Sequence, residues 1–214
     1  MSDPIQLHGF TALPRDTKVL LNGQKNIHAP TPISINQIQV PSTPLATATH
    51  DYAKMSLSPP TYAHSMRVYY YGLAIARQQF PSWAFSEETY FLTCMLHDIG
   101  TTTENLRKTL MSFEFYGGLL ALNLLQSEGY GGGKEQAEAV AEVGSTPCPG
   151  YMYGDDKLSL LNAYFRSLVG DHQTSRYWRD GEDYDIRATD PACYHLRYEY
   201  LSRCGKQHKA SRRR

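Results

Sequence analysis

The chain has 214 residues, of which 41% are hydrophobic and 20% charged, and its formal net charge is zero. These values are typical of one globular domain with a sizeable core, and they exclude an intrinsically disordered protein and a strongly basic nucleic-acid binder. The sequence has no signal peptide at its start, no apolar run of membrane-spanning length, and neither a disulfide framework nor a CxxC zinc motif among its four cysteines.

Charge and composition divide the chain. Residues 1–143 carry 9 Lys+Arg and 12 Asp+Glu, a net charge of −3, whereas residues 144–214 carry 12 Lys+Arg and 9 Asp+Glu, a net charge of +3. Several prolines in residues 1–43 prevent long helices there. We therefore predict an extended N-terminal segment over 1–43, a helical domain over 44–143 and a divergent, poorly patterned C-terminal segment over 144–214.

Two helices are predicted in the first half of the domain. A short helix covers about Leu45 to Met55, and Ser58-Pro59-Pro60 then breaks the chain. The first strong helix runs from about Thr61, as its N-cap, to Gln79. His64 lies near the start of that helix, where a single histidine is usually no more than a polar surface residue.

The next helix ends in two adjacent metal-ligand residues. It begins at Ser86 as N-cap, continues through an apolar run to His97 and Asp98, and is closed by Gly100. Taken alone, such a pair is more often a packed histidine capped by its neighbour than a metal site. However, two helices joined by a short turn pack antiparallel, which brings His64 to the same end as His97 and Asp98.

The remaining pattern is also helical. Thr101–Asn105 is a polar connector suited to the mouth of a site, and helices are predicted from about Phe113 to Ser127 and from about Lys134 to Val143. Ser112 is an N-cap for the first of them, and Gly117-Gly118 would let another helix approach it closely. After residue 143 only Leu158 to Val169 has a helical apolar period.

His64, followed further along the chain by His97-Asp98 in an all-helical context, resembles the HD-domain metallohydrolases. The surrounding sequence is similar to the fungal cyanamide hydratases over about residues 9–143. The segments that carry this resemblance are HSMRVY (64–69), QQFP (78–81), FSEET (85–89), LHDIGTT (96–102) and MSFEFYGG (111–118). The resemblance implies an all-α fold, the HD-domain helical bundle.

The resemblance also implies a chemistry, the hydration of the nitrile of cyanamide to urea by metal-bound hydroxide. One zinc ion would be held by His64, His97 and Asp98, and Phe113 stands where many dinuclear HD phosphohydrolases have a further histidine. Asp98 would also orient the water or move its proton. Glu114 is a weaker catalytic candidate, since an acid in the first turn of a helix stabilises it by about 0.3–1 kcal/mol without any catalytic role.

We expect a small-molecule substrate, no nucleic-acid or membrane partner, and a cytoplasmic location; a homodimer and a nuclear location are left open. The short basic cluster at Arg212-Arg213-Arg214 is typical of a solvated tail rather than a nucleic-acid patch.

The resemblance stops after Val143. In the family, an Arg-His-Gln-Asp sequence follows and a later helix supplies the last aspartate ligand, but neither is found here, so Asp155, Asp156 and Asp171 are not assigned to that role. We expect the C-terminal helices of the bundle to be lost or replaced, as in a reading-frame or splice-model error or a truncated paralogue. Two alternatives stay open: an HD-type phosphohydrolase acting on a nucleotide, and a catalytically inactive, truncated family member.

Overall fold

The computed structural model describes residues 3–8, 13, 17–24, 26–145 and 185–186. The described part is almost entirely helical, which confirms the all-α prediction. Its helices are α1 Pro4–Leu7, α2 Thr17–Leu20, α3 Pro44–Ser56, α4 Pro59–Gln79, α5 Glu87–Leu96, α6 Thr103–Lys108, α7 Phe113–Gln126 and α8 Lys134–Ser145. Short 3-10 turns cover Ile35–Gln37 and Ile99–Thr101, and strand β1 Ile33–Ser34 pairs antiparallel with β2 Asp185–Ile186.

The start of α4 differs from the prediction. The helix begins at Pro59, and its N-cap is Ser58, whose Oγ accepts a hydrogen bond from Thr61 N at 3.4 Å. Thr61 is therefore not the cap. Pro59 and Pro60 fit the first two helical positions because backbone N–H groups there have no partner within the helix. The Ser-Pro-Pro sequence thus separates α3 from α4 and also starts α4.

Helices α4 and α5 are antiparallel, as predicted, and form the centre of the core. Gly72 of α4 lies under the ring of Tyr90, because a Cβ at this glycine would be 2.8 Å from Tyr90 Cε1 and closer still to the hydroxyl oxygen. That hydroxyl donates to Val68 O at 3.1 Å, and burial raises the pKa of Tyr90 well above its usual value. In this antiparallel pair, the residues of α4 that precede Val68 lie beside the residues of α5 that follow Tyr90.

Helix α7 packs through its glycine pair, as predicted. A Cβ on Gly118 would lie 2.7 Å from Ala141 O, so α8 approaches α7 at backbone distance. A Cβ on Gly117 would lie 3.3 Å from Gly100 N, which shows that the same helix also contacts the segment after α5. Helix α8 continues to Ser145, two residues past the predicted end.

The N-terminal segment contains two short helices, α1 and α2, which each form a single turn. Gln79, which is only 4% exposed, holds this segment across α4: its Oε1 accepts from Ile27 N at 2.8 Å and His28 N at 3.1 Å, and its Nε2 donates to His28 O at 3.0 Å. His8 Nδ1 lies 2.9 Å from Thr89 Oγ1 at the start of α5.

Several predictions concern residues that the structure does not describe. The helix predicted from Leu158 to Val169 lies outside the described residues, as do Asp155, Asp156 and Asp171. In the part of the chain that the structure describes, no helix combines the length and apolarity needed to cross a membrane.

Candidate metal centre

The ring of His97 is fixed by the end of its own helix. Helix α5 stops at Leu96, two residues before the predicted end, and His97 is its C-cap with a helical backbone (φ −60°, ψ −28°). The ring Nδ1 lies 2.8 Å from Cys94 O. Because a carbonyl oxygen can only accept, Nδ1 is the donor, and in the neutral ring this leaves the lone pair on Nε2. This arrangement is the usual one for a metal-binding histidine, which donates from its other nitrogen.

Asp98 and His64 bring two more ligand atoms to this nitrogen. Asp98 Oδ2 lies 3.3 Å from His97 Nε2 and 3.8 Å from His64 Nε2. The centroids of the two imidazole rings are 5.3 Å apart, and one ligand atom from each of the three residues lies within 4.8 Å of the others. The side chains of His64, His97 and Asp98 are 26%, 8% and 20% exposed. The structure therefore joins the three predicted ligands at one partly accessible place.

The spacing and the chemistry of these atoms fit a zinc ion. Neighbouring ligands of a tetrahedral zinc ion, with bonds of about 2.0–2.2 Å, lie roughly 3.3–3.6 Å apart. The Asp98–His97 distance of 3.3 Å falls in this range, and the Asp98–His64 distance of 3.8 Å is slightly longer. Imidazole nitrogen and carboxylate oxygen are both good zinc ligands, and three protein ligands with one open position are typical of catalytic zinc.

Other ligand-type residues nearby do not join this group. Among the described residues, His64, His97 and Asp98 form the single group of three or more His, Cys, Asp or Glu side chains whose ligand atoms converge. Cys94 is fully buried, burial raises the pKa of its thiol, and its sulfur is not among the converging ligand atoms.

Glu114 lies in the first turn of α7 and is not a member of the converging group. The same helix faces the segment after Asp98 through Phe113 and Gly117, which both contact Gly100. Its position matches the predicted stabilisation of the helix N-terminus by an acid. A catalytic role of Glu114 stays a prediction.

The segment that follows Asp98 is more ordered than the polar connector predicted from the sequence. Residues Ile99–Thr101 form a 3-10 turn, and helix α6 follows, with Thr102 as its N-cap. Thr101 Oγ1 donates to Asp98 O at 2.7 Å, and Asn105 Nδ2 donates to Ile99 O at 2.8 Å.

The sequence carried a signal for α6 that was missed. Thr102 precedes several helix-forming residues, and Glu104 and Lys108 are spaced for an ion pair within one helix, with Oε1 and Nζ 2.6 Å apart. Gly100 lies inside the 3-10 turn rather than closing α5.

Comparison with known proteins agrees with the resemblance found in the sequence. Two proteins of Saccharomyces cerevisiae (strain ATCC 204508 / S288c), cyanamide hydratase DDI2 and cyanamide hydratase DDI3, are each 38% identical to the chain over 136 residues. The match covers 64% of this chain and 58% of each yeast protein, so the chain spans less than two thirds of the length of these relatives. No protein-family model matches the chain. The chain is thus similar, over most of its length, to two yeast proteins named cyanamide hydratase.

Proposed function

We propose that the protein is a zinc-dependent hydro-lyase of the cyanamide hydratase family that adds water to cyanamide and forms urea. The observation that carries the proposal is the convergence of His64, His97 and Asp98 within 4.8 Å. The similarity to two proteins named cyanamide hydratase supports the choice of substrate. In the reaction, H₂N–C≡N and H₂O combine without loss of any atom, so no leaving group and no redox partner are needed.

The three side chains have distinct tasks in this proposal. His64 and His97 would hold the ion through Nε2 in their neutral form, and Asp98 would hold it through Oδ2. When bound, zinc lowers the pKa of a coordinated water to about 7 and so supplies hydroxide at neutral pH.

Asp98 has a second task. Its other carboxylate oxygen is assigned to take up the proton of the attacking water and return it to the nitrile nitrogen. The isourea that results becomes urea by transfer of one further proton.

The accessibility of the site suits a substrate of this size. The ligand side chains of His64 and Asp98 are 26% and 20% exposed, so a small solute reaches them without opening the core. His97 is only 8% exposed and is held from behind by Cys94 O, which fixes the orientation of its ring.

The purified full-length chain tests the proposal. We expect one equivalent of zinc by elemental analysis and urea release from cyanamide. His97→Ala should weaken zinc binding by about 100-fold or more, because even a change in a residue behind a ligand costs about 10–100-fold. His28→Ala is the matched control, since its exposed side chain lies outside the site.

Two outcomes would contradict the proposal. A wild-type chain that binds no zinc would reject the metal centre. A chain that binds zinc but forms no urea would reject cyanamide hydration, and phosphate release from a nucleotide would then distinguish the phosphohydrolase from an inactive relative.

A further inference from the structure

We propose that Thr101 and Asn105 are positioning residues for Asp98: their side chains hold the carbonyl groups of Asp98 and of the next residue, Ile99, and so help to set where the carboxylate of Asp98 points. The inference rests on the metal centre proposed above. Neither residue belongs to the group of converging ligand atoms, and both act through main-chain carbonyl oxygens.

The first contact fixes the carbonyl of Asp98 itself. This oxygen accepts two hydrogen bonds from Thr101, from its backbone N at 2.9 Å and from its Oγ1 at 2.7 Å. Asp98 has left the helix, with φ −105° and ψ 9°. The two bonds from Thr101 hold its carbonyl where the 3-10 turn begins.

The second contact fixes the next carbonyl. Asn105 Nδ2 donates to Ile99 O at 2.8 Å, and Asn105 N donates to Thr102 Oγ1 at 3.2 Å. One residue of α6 therefore ties the helix both to its own N-cap and to the carbonyl of the residue after Asp98. A shift of α6 is passed to Ile99, the direct neighbour of the ligand.

These contacts matter because a metal ion needs the three ligand atoms at fixed distances from one another. Asp98 Oδ2 lies 3.3 Å from one imidazole nitrogen and 3.8 Å from the other, and the direction of its Cα–Cβ bond is set by the two adjacent peptide planes. His97 has its own support in Cys94 O.

Zinc affinity, measured with the full-length chain by competition with a chromophoric chelator, tests this role. Thr101→Val keeps the size and the backbone bond but removes the hydroxyl donor, and Asn105→Ala removes the amide. We expect each to weaken zinc binding by about tenfold, the lower end of the 10–100-fold found for residues behind a metal ligand. Thr101→Ser restores the hydroxyl and should bind zinc within about twofold of wild type.

Matched controls separate positioning from a general loss of stability. Thr103→Val and Asn123→Ala change exposed residues of the same type on α6 and α7, and we expect wild-type zinc affinity for both. Thermal unfolding of each metal-free variant is measured in parallel. A purely structural role would lower the unfolding temperature and leave the zinc affinity of the folded protein unchanged.

The outcomes distinguish this inference from the proposed function. Wild-type affinity in both Thr101→Val and Asn105→Ala would overturn the positioning role and leave the metal centre standing. If Thr101→Val and Thr101→Ser both bind zinc about tenfold more weakly than wild type, the positioning role of the Thr101 hydroxyl would also be overturned. Absence of zinc binding in the wild-type chain would overturn the metal centre and this inference together.

Discussion

Gly100 sits where the segment after Asp98 touches α7, and there is no room for a side chain. A Cβ at this position would lie 2.9 Å from the carbonyl carbon of Phe113, closer still to its oxygen, and 3.2 Å from Gly117 N. All three atoms belong to the backbone of α7, so no rotamer change can relieve the contact. Gly100→Ala therefore forces the turn and the helix apart.

The size of the effect follows from these distances. Carbon atoms in ordinary contact lie about 3.5–4.0 Å apart, so the new methyl group needs roughly 0.6–1.1 Å of additional separation. Overpacking of this kind costs about 1–3 kcal/mol. Gly100 does not have a positive φ, so the reduced entropy of the unfolded chain returns about 0.4–1 kcal/mol. Because the obstacle is backbone, we take the upper end of the overpacking cost and expect a net loss of about 2–2.6 kcal/mol in the free energy of unfolding.

Urea denaturation of the metal-free protein measures this loss, and Gly133→Ala is the matched control. A Cβ at Gly133 would meet no heavy atom within 4 Å, and its φ is not positive, so this variant should keep or slightly raise the stability. Zinc affinity should fall only in Gly100→Ala, because Asp98 is two residues away. Equal stability of the two variants would refute the assignment of a close contact between this turn and α7.

Three further changes probe the rest of the fold. Gln79→Ala should lower the free energy of unfolding by about 1–3 kcal/mol. This loss should exceed that of Gln78→Ala, because Gln78 is partly exposed. Equal losses in the two variants would contradict the anchoring role of Gln79. Burial lowers the pKa of His8 from 6.5, so the unfolded chain takes up the proton at a higher pH than the folded one, and the protein loses stability as the pH is lowered below 6.5. His8→Gln should lose less stability over the same pH range. Identical stability–pH profiles of the two proteins would reject this. Tyr90→Phe should cost about 0.5–1.5 kcal/mol and leave zinc affinity unchanged, whereas weaker zinc binding would place Tyr90 in the site.

The convergence of His64, His97 and Asp98 was predictable because its signals are local. The N-cap side chains of Ser86 and Ser112 each accept a hydrogen bond from the backbone N–H three residues further along the chain, as the sequence predicts. A short turn between two long helices is enough to fix their antiparallel order, and this order places His64 beside Asp98. Neither step needs information about distant parts of the chain.

The errors arose where the structure depends on competition or on distant contacts. Ser58 and Thr61 can both act as N-caps. The helix starts after Ser58 because Pro59 and Pro60 are favoured at the first helical positions. The path of the N-terminal segment is set by the buried amide of Gln79, which reaches Ile27 across 52 positions of sequence. No local pattern contains such a contact. The pattern after residue 145 lies outside the described residues, apart from Asp185–Ile186.

The group that orients the His97 ring belongs to the peptide backbone, so no amino-acid exchange at position 94 can delete it. A mutational scan would score Cys94 only for the packing of its buried side chain and would assign it no part in metal binding. A change of side chain at this position therefore leaves the ring in its orientation, provided that the last turn of α5 is maintained. The ring is oriented by the geometry of the helix rather than by the identity of residue 94.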